Sequence, residues 1–268
     1  MKRGILSIAA VVLILSSFFM YTSCKKDSTN NPPAVPSENA FVMDFSDFSI
    51  AKKATGNVNF PAALQTVVFW QSVMNGVIAI PVAAFKEAAK HEAIYVENNT
   101  WEWTYTLTYG IYSLTSKLTG TLANDSAEWK MYITLTGGNT PVDNFLWFYG
   151  KSALNGTGGY WILNESPSNP EPVLRADWTK GNNNTFNLKY TYVKTGQAAT
   201  GNSIEFGKTS DNGAFNAYYI IRQAGVTNPV VQIEWNTTTK SGHIMSYTYF
   251  QDNLWHCWDA TKNDAVCN

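Results

Sequence analysis

The chain has 268 residues, of which 45% are hydrophobic, 14% aromatic and only 15% charged, with a formal net charge of −1. This balance excludes the basic field that nucleic-acid binding needs, so no nucleic-acid partner is expected. It also excludes a disordered chain, because the aromatic residues fall in alternating segments that bury one face.

Lys2 and Arg3 form a positive start, and Ile5 to Met20 follow without a charge, before the small polar residues Thr22 and Ser23 and then Cys24. That layout predicts a secretory signal over residues 1–23. The apolar run has 16 residues, short of the roughly 18 to 20 that span a bilayer comfortably, so a permanent transmembrane anchor is the lesser reading. The residues Tyr21-Thr22-Ser23-Cys24 resemble a bacterial lipobox, with Tyr21 standing where an aliphatic residue is usual. The resemblance implies that the Cys24 thiol receives diacylglycerol and that cleavage makes Cys24 the first residue of the mature chain. Lys25-Lys26-Asp27 look like the charged tether of surface-exported lipoproteins of the Bacteroidota kind. The location implied is the cell envelope, lipid-anchored at the outer membrane and facing the surface. Each buried acyl methylene contributes about 0.8 kcal/mol, so diacyl or palmitate-like chains on Cys24 hold a folded domain to a membrane without a spanning segment. The bland alternative for Cys24 is a free or disulfide-bonded cysteine beyond an ordinary cleavage site.

Cleavage leaves 245 of the 268 residues and takes the charge from −1 to −3 by removing Lys2 and Arg3. Residues 24–40, with Asn30-Asn31-Pro32-Pro33 and Pro36-Ser37, read as a lipidated tether, and 41–268 as a single β-rich domain.

A helical segment is expected over 61–90. Ala63, Val67, Trp70, Met74, Val77, Ile78, Phe85 and Ala88 recur at steps of mostly three and four, sharing one face. Asn59 is the expected N-cap, with Pro61 in the first turn. Gly76 and Pro81 predict a break into two helices. The other face is also apolar at Val68, Phe69 and Val73, which predicts burial on more than one side. A membrane span is the sharper alternative, but Gln65, Gln71, Ser72 and Asn75 interrupt it.

After His91 the period becomes two. Trp101, Trp103, Tyr105, Leu107 and Tyr109 alternate with polar residues, and the pattern returns at Trp129–Leu135, Phe186–Tyr192, Phe215–Ile221 and Val231–Trp235. Gly137-Gly138-Asn139, Asn155 to Gly159, Gly181 to Asn184 and Asp211-Asn212-Gly213 supply turns between them. Short links join antiparallel neighbours, so the expected fold is mainly β: a meander of about ten to twelve strands, curled into a half-barrel or barrel, with the apolar helical segment packed on it. A β-sandwich is the alternative. The order of elements is similar to the half-barrel-plus-helix architecture of periplasmic lipoprotein carriers and related lipid-binding lipoproteins.

Cys257 and Cys267 remain as a pair in a compartment that tolerates disulfides, and a C-terminal bridge between them is expected. A metal site at His256, Cys257 and Cys267 lacks a fourth ligand, so no metal is expected.

Nothing in the sequence spells a catalytic constellation or a cofactor. Gly201-Asn202-Ser203-Ile204-Glu205 lacks the last glycine of a nucleophile elbow, and phosphate-loop, dinucleotide and zinc-helix motifs are missing. Asp211-Asn212-Gly213 suits a hairpin turn better than a calcium loop. His91 is expected at a helix end, His243 in a turn after Ser241-Gly242, and His256 between Trp255 and Cys257 in the region of the expected bridge. Glu102, Glu128, Asp177, Glu205 and Glu234 fall in or beside strands, where a glycosidase pair would sit; solvent-facing alternation explains them more simply.

Three functions compete. The favoured one is a non-enzymatic envelope lipoprotein that binds an apolar or amphipathic ligand between helix and sheet, with Trp70, Met74, Phe85, Trp101 and Trp103 as lining residues. The second is a surface protein that binds or degrades glycans through exposed Trp147, Trp161, Trp178 or Trp255. The third is a structural or adhesive surface module.

Overall fold

The alternating segments pair into one antiparallel meander. A computed structural model describes residues 31–48, 57–210 and 213–267. The signal segment 1–23, Cys24 and the tether as far as Asn30 lie outside the described residues, as do Asp211 and Asn212. Residues 32–268 form one compact unit.

Helix α1 runs over Asn59–Ala88, followed by strands β1 (Ile94–Tyr95), β2 (Thr100–Tyr109), β3 (Tyr112–Ala123), β4 (Ser126–Thr136) and β5 (Val142–Ala153). The meander continues through β6 (Gly158–Ser166), β7 (Asn169–Lys180), β8 (Phe186–Tyr192), β9 (Ser203–Lys208) and β10 (Ala217–Arg222). It ends with β11 (Val231–Trp235), β12 (Gly242–Met245), a short helix α2 (Tyr247–Phe250), β13 (His256–Trp258) and β14 (Asp264–Ala265). The sheet has 14 strands in sequential order from β1 to β14 and is not closed, exceeding the expected ten to twelve. The additional strands are the short edge pieces β1 and β14, with two residues each, too brief to show a period.

The buried face is built from rows that cross the strands. In one of them Trp101, Gly120, Trp129, Gly150, Trp161, Ala176 and Tyr190 are consecutive cross-strand partners. Wide indoles thus alternate with glycine or alanine, so each ring lies over a neighbour that has little or no side chain. An added Cβ at Gly120 would stand 2.7 Å from the Trp129 ring and 3.1 Å from that of Trp103.

A strap, Pro33 to Phe48, lies inside the sheet. It carries 3₁₀ turns at Glu38–Ala40 and Ser46–Phe48. Phe41 stacks on Trp161 of β6 at 4.3 Å, Phe45 on Tyr219 of β10 at 5.7 Å, and Phe48 meets Trp258 of β13 at 6.5 Å. Seven residues span at most about 25 Å, whereas seven flat strand spacings from β6 to β13 would cover about 34 Å. The strands therefore converge on the strap, which requires a curled sheet. Two buried tyrosines fix the strap: Tyr190 donates to the Phe41 carbonyl and Tyr219 to that of Asp44. Trp235 Nε1 donates to Asp47 at 2.8 Å, and Lys240 pairs with the same carboxylate. Pro33 and Ala40 are buried, so packing reaches back into the stretch read as tether.

Helix α1 covers what the strap leaves open, touching β2 and β3 near one edge of the strand order and β12 and β13 near the other. Its buried side comprises Phe60, Val67, Met74, Ile78, Val82 and Phe85 among others. It is one continuous helix of 30 residues, which corrects the expected break at Gly76 and Pro81. Pro81 is buried against the core; its missing N–H deprives the Val77 carbonyl of a helical partner, and Val77 is solvent-exposed, where water can take that role. The expected N-cap is also corrected. Val58 occupies the cap position, and the Asp264 carboxylate of β14 accepts the backbone N–H groups of Val58 and Asn59 at 3.0 and 2.9 Å. An anion there satisfies two orphan donors and complements the helix dipole. Asn59 instead donates its side-chain amide to the Cys257 carbonyl at 2.7 Å. Cys257 and Cys267 stand at disulfide distance, S–S 2.08 Å, and this bridge pins the segment that carries Asp264.

Candidate ligand cleft

A concavity lies away from the contacts that helix α1 makes with β2, β3, β12 and β13. Its volume is about 780 Å³, and it opens between the strap, the polar side of α1 at Gln71 and Asn75, and the ends of strands β5, β7, β8 and β9. The size falls within the range of small-molecule sites. The floor is apolar: Val35, Met43, Phe45, Trp178, Phe186 and Phe206. Each reaches it for a local reason. Trp178, Phe186 and Phe206 sit near the same end of β7, β8 and β9, and Met43 and Phe45 project from the strap with period two.

The rim carries charge. Lys208 Nζ lies 3.0 Å from Asp44 Oδ2 and 5.6 Å from the centre of the Phe206 ring. Burial raises the Asp44 carboxyl's pKa, but hydrogen bonds from Ser46 and the Lys208 ion pair outweigh it and hold the group below its ordinary value. Glu38 is occupied by Lys86 at 2.7 Å. Lys180, also on the rim, is exposed and has no carboxylate within ion-pair distance among the described residues. The cleft thus combines an apolar floor with one uncommitted ammonium group.

Two polar atoms beside the cleft are unusual. Trp178 Nε1 is buried without an acceptor, beside Gly159, where an added Cβ would stand 3.0 Å away. Ser152 Oγ accepts the Trp129 indole at 2.9 Å.

The five lining residues expected from the sequence have packing roles instead. Met74, Phe85, Trp101 and Trp103 are core, and Trp70 is partly buried against it. None of the five lines the cleft. The strap was the missed component, although Phe41, Met43 and Phe45 alternate as strand residues do. The carboxylates are engaged separately: Glu102 with Thr104, Asp177 with Arg175, Glu205 with Asn187, and Glu234 with His243. His91 stacks on Tyr105 at 5.7 Å, His243 on Trp255 at 3.7 Å, and His256 on Phe250 at 3.6 Å, the last also 3.0 Å from Asp252. No group of three or more metal-ligating side chains occurs among the described residues. Of the tryptophans considered for glycans, Trp161 and Trp178 are buried, Trp147 packs against the core, and Trp255 is half-covered by His243. A flat, open indole platform is not what these four provide.

Comparison with family models, with curated proteins and with solved structures finds no match to this chain.

Proposed function

We propose that this is an exported lipoprotein, held at the outer membrane of the cell envelope by acyl chains on Cys24, that binds an amphipathic ligand in the cleft. The observation that carries the reading is the pairing of an apolar floor with the unpaired Lys180 at the rim. An acyl chain would lie over Phe45, Trp178, Phe186 and Phe206, and an acidic head would meet Lys180. No bond-making chemistry is assigned to the cleft.

Dodecanoate is the probe we choose. The delipidated protein is expected to bind it with one-to-one stoichiometry by isothermal titration calorimetry, with a negative heat-capacity change from apolar burial. An exposed ion pair contributes up to about 1 kcal/mol, so Lys180→Glu is expected to weaken binding about fivefold. Absence of binding, or equal affinity for the variant, would remove the support for this reading. The adhesive alternative draws on a different place: the tip joining β2 to β3 exposes Leu107, Tyr109, Ile111 and Tyr112.

A further inference from the structure

Helix α1 has an outer face that no part of the described chain covers. Phe69 and Ile80 are 60% and 65% exposed, Val73 and Val77 37% and 39%. Their spacing of four, four and three residues places them in one stripe along the helix. Gly76 lies within it. No charged residue occurs anywhere from Asn59 to Phe85, and the first charges, Lys86 and Glu87, come only at the helix end. α1 is long and apolar enough to cross a membrane by length and composition, but its opposite side is fixed in the domain core through Phe60, Val67, Met74, Ile78 and Phe85. Spanning would strip that core, whereas lying in the plane of an interface would leave it intact.

We infer that the Phe69–Val73–Val77–Ile80 stripe rests in the lipid surface to which Cys24 is anchored. The inference depends on the acylation of Cys24 proposed above. From Cys24 to Pro33, the first buried residue among those described, nine residues reach at most about 32 Å, so the domain cannot leave the bilayer's neighbourhood. The chain also enters the domain close to α1. Pro33 sits against Gly120 of β3, a strand that α1 touches. Val35 lines the same cleft as Gln71 and Asn75 of α1. A second copy is a poorer occupant, because four side chains offer only a few hundred square ångströms, below the roughly 800 Å² per partner of a stable interface.

The test is a nitroxide at Gly76→Cys in the full chain, purified in acylated form and reconstituted in phosphatidylethanolamine–phosphatidylglycerol vesicles. An added Cβ at Gly76 meets nothing within 4 Å, so a side chain placed there starts into open space, and circular dichroism of the labelled protein checks that the fold is retained. A reference label goes at the exposed loop residue Ala198→Cys. Accessibility to oxygen relative to a water-soluble nickel complex is expected to be several-fold higher at 76 than at 198. Water-like accessibility at both sites, with intact mass showing an acylated Cys24, would overturn the docking alone. An unmodified Cys24 sulfur would overturn the anchor and the docking with it. Dipolar broadening between labels at 76 on separate copies would overturn the docking in favour of self-association.

Discussion

Replacing Gly150 by valine is expected to destabilise the domain by about 3 kcal/mol or more, a large part of a typical domain's net stability. Gly150 lies between Trp129 and Trp161 in the row that alternates indoles with small residues. A Cβ there would stand 2.1 Å from the Tyr160 carbonyl oxygen and 2.6 Å from the Trp161 ring. The first of these is backbone of the neighbouring strand, so no rotamer change relieves it. Relief requires β5 and β6 to separate, and the indole above them to leave its seat. Urea unfolding followed by near-ultraviolet circular dichroism measures this, with Gly76→Ala on open helix surface as a control expected to gain up to about 1 kcal/mol. A Gly150→Val midpoint equal to that of the unsubstituted chain would show that the rows do not pack as described.

Raising the pH above 10 is expected to produce the second large effect. Burial pushes the phenols of Tyr190 and Tyr219 far above their ordinary value of about 10. For Tyr190 the Met43 N–H works weakly in the other direction; for Tyr219 the nearby Asp44 and Asp47 add to the rise. Below pH 10 both folded and unfolded chains keep these protons, and stability is unaffected. Above it only the unfolded chain releases them, so the unfolded state gains and stability falls. Two such groups together give a slope on the order of 2.7 kcal/mol per pH unit between roughly pH 10 and 12. Tyr218, raised mainly by partial burial, adds in the same sense. Urea midpoints from pH 8 to 11.5 are expected to be flat at first and then to fall steeply. The Tyr190→Phe/Tyr219→Phe pair is expected to begin less stable, because the Phe41 and Asp44 carbonyls lose their donors, and to show a shallower alkaline limb. An equally steep limb in that variant would contradict the structural role given to the two hydroxyls.

The strands were legible because one-face burial imposes a period of two, as at Trp101, Trp103 and Tyr105; Leu107 and Tyr109 continue the alternation in sequence but are exposed at the tip. The turns were legible from residues that accept positive φ, as at Gly137 and Gly138, where φ is 82° and 73°. The expected pairing of Cys257 with Cys267 agrees with the disulfide distance between them. Other features depended on contacts remote in sequence. Asp264 caps α1 from 205 residues away at Asn59, and local cap rules instead pointed to Asn59. The continuity of α1 through Pro81 depends on the core packed beneath it, which no propensity encodes. The strap has the alternation of a strand but takes its hydrogen bonds from tyrosine hydroxyls of β8 and β10 rather than from a strand neighbour, so its place inside the sheet was hidden. The cleft was hidden for the same reason, since its walls come from the strap, α1 and the ends of four strands. Trp101 and Trp103 were read as ligand-lining because inward aromatics look alike in sequence, whether they face a cavity or another indole.

The proposed anchoring of the domain begins with the thiol of Cys24. Intact-mass spectrometry of the protein recovered from a membrane fraction tests that beginning directly. The predicted mass is that of a chain starting at Cys24 and carrying diacylglyceryl and acyl additions; a mass that fits an unmodified Cys24 sulfur would contradict it.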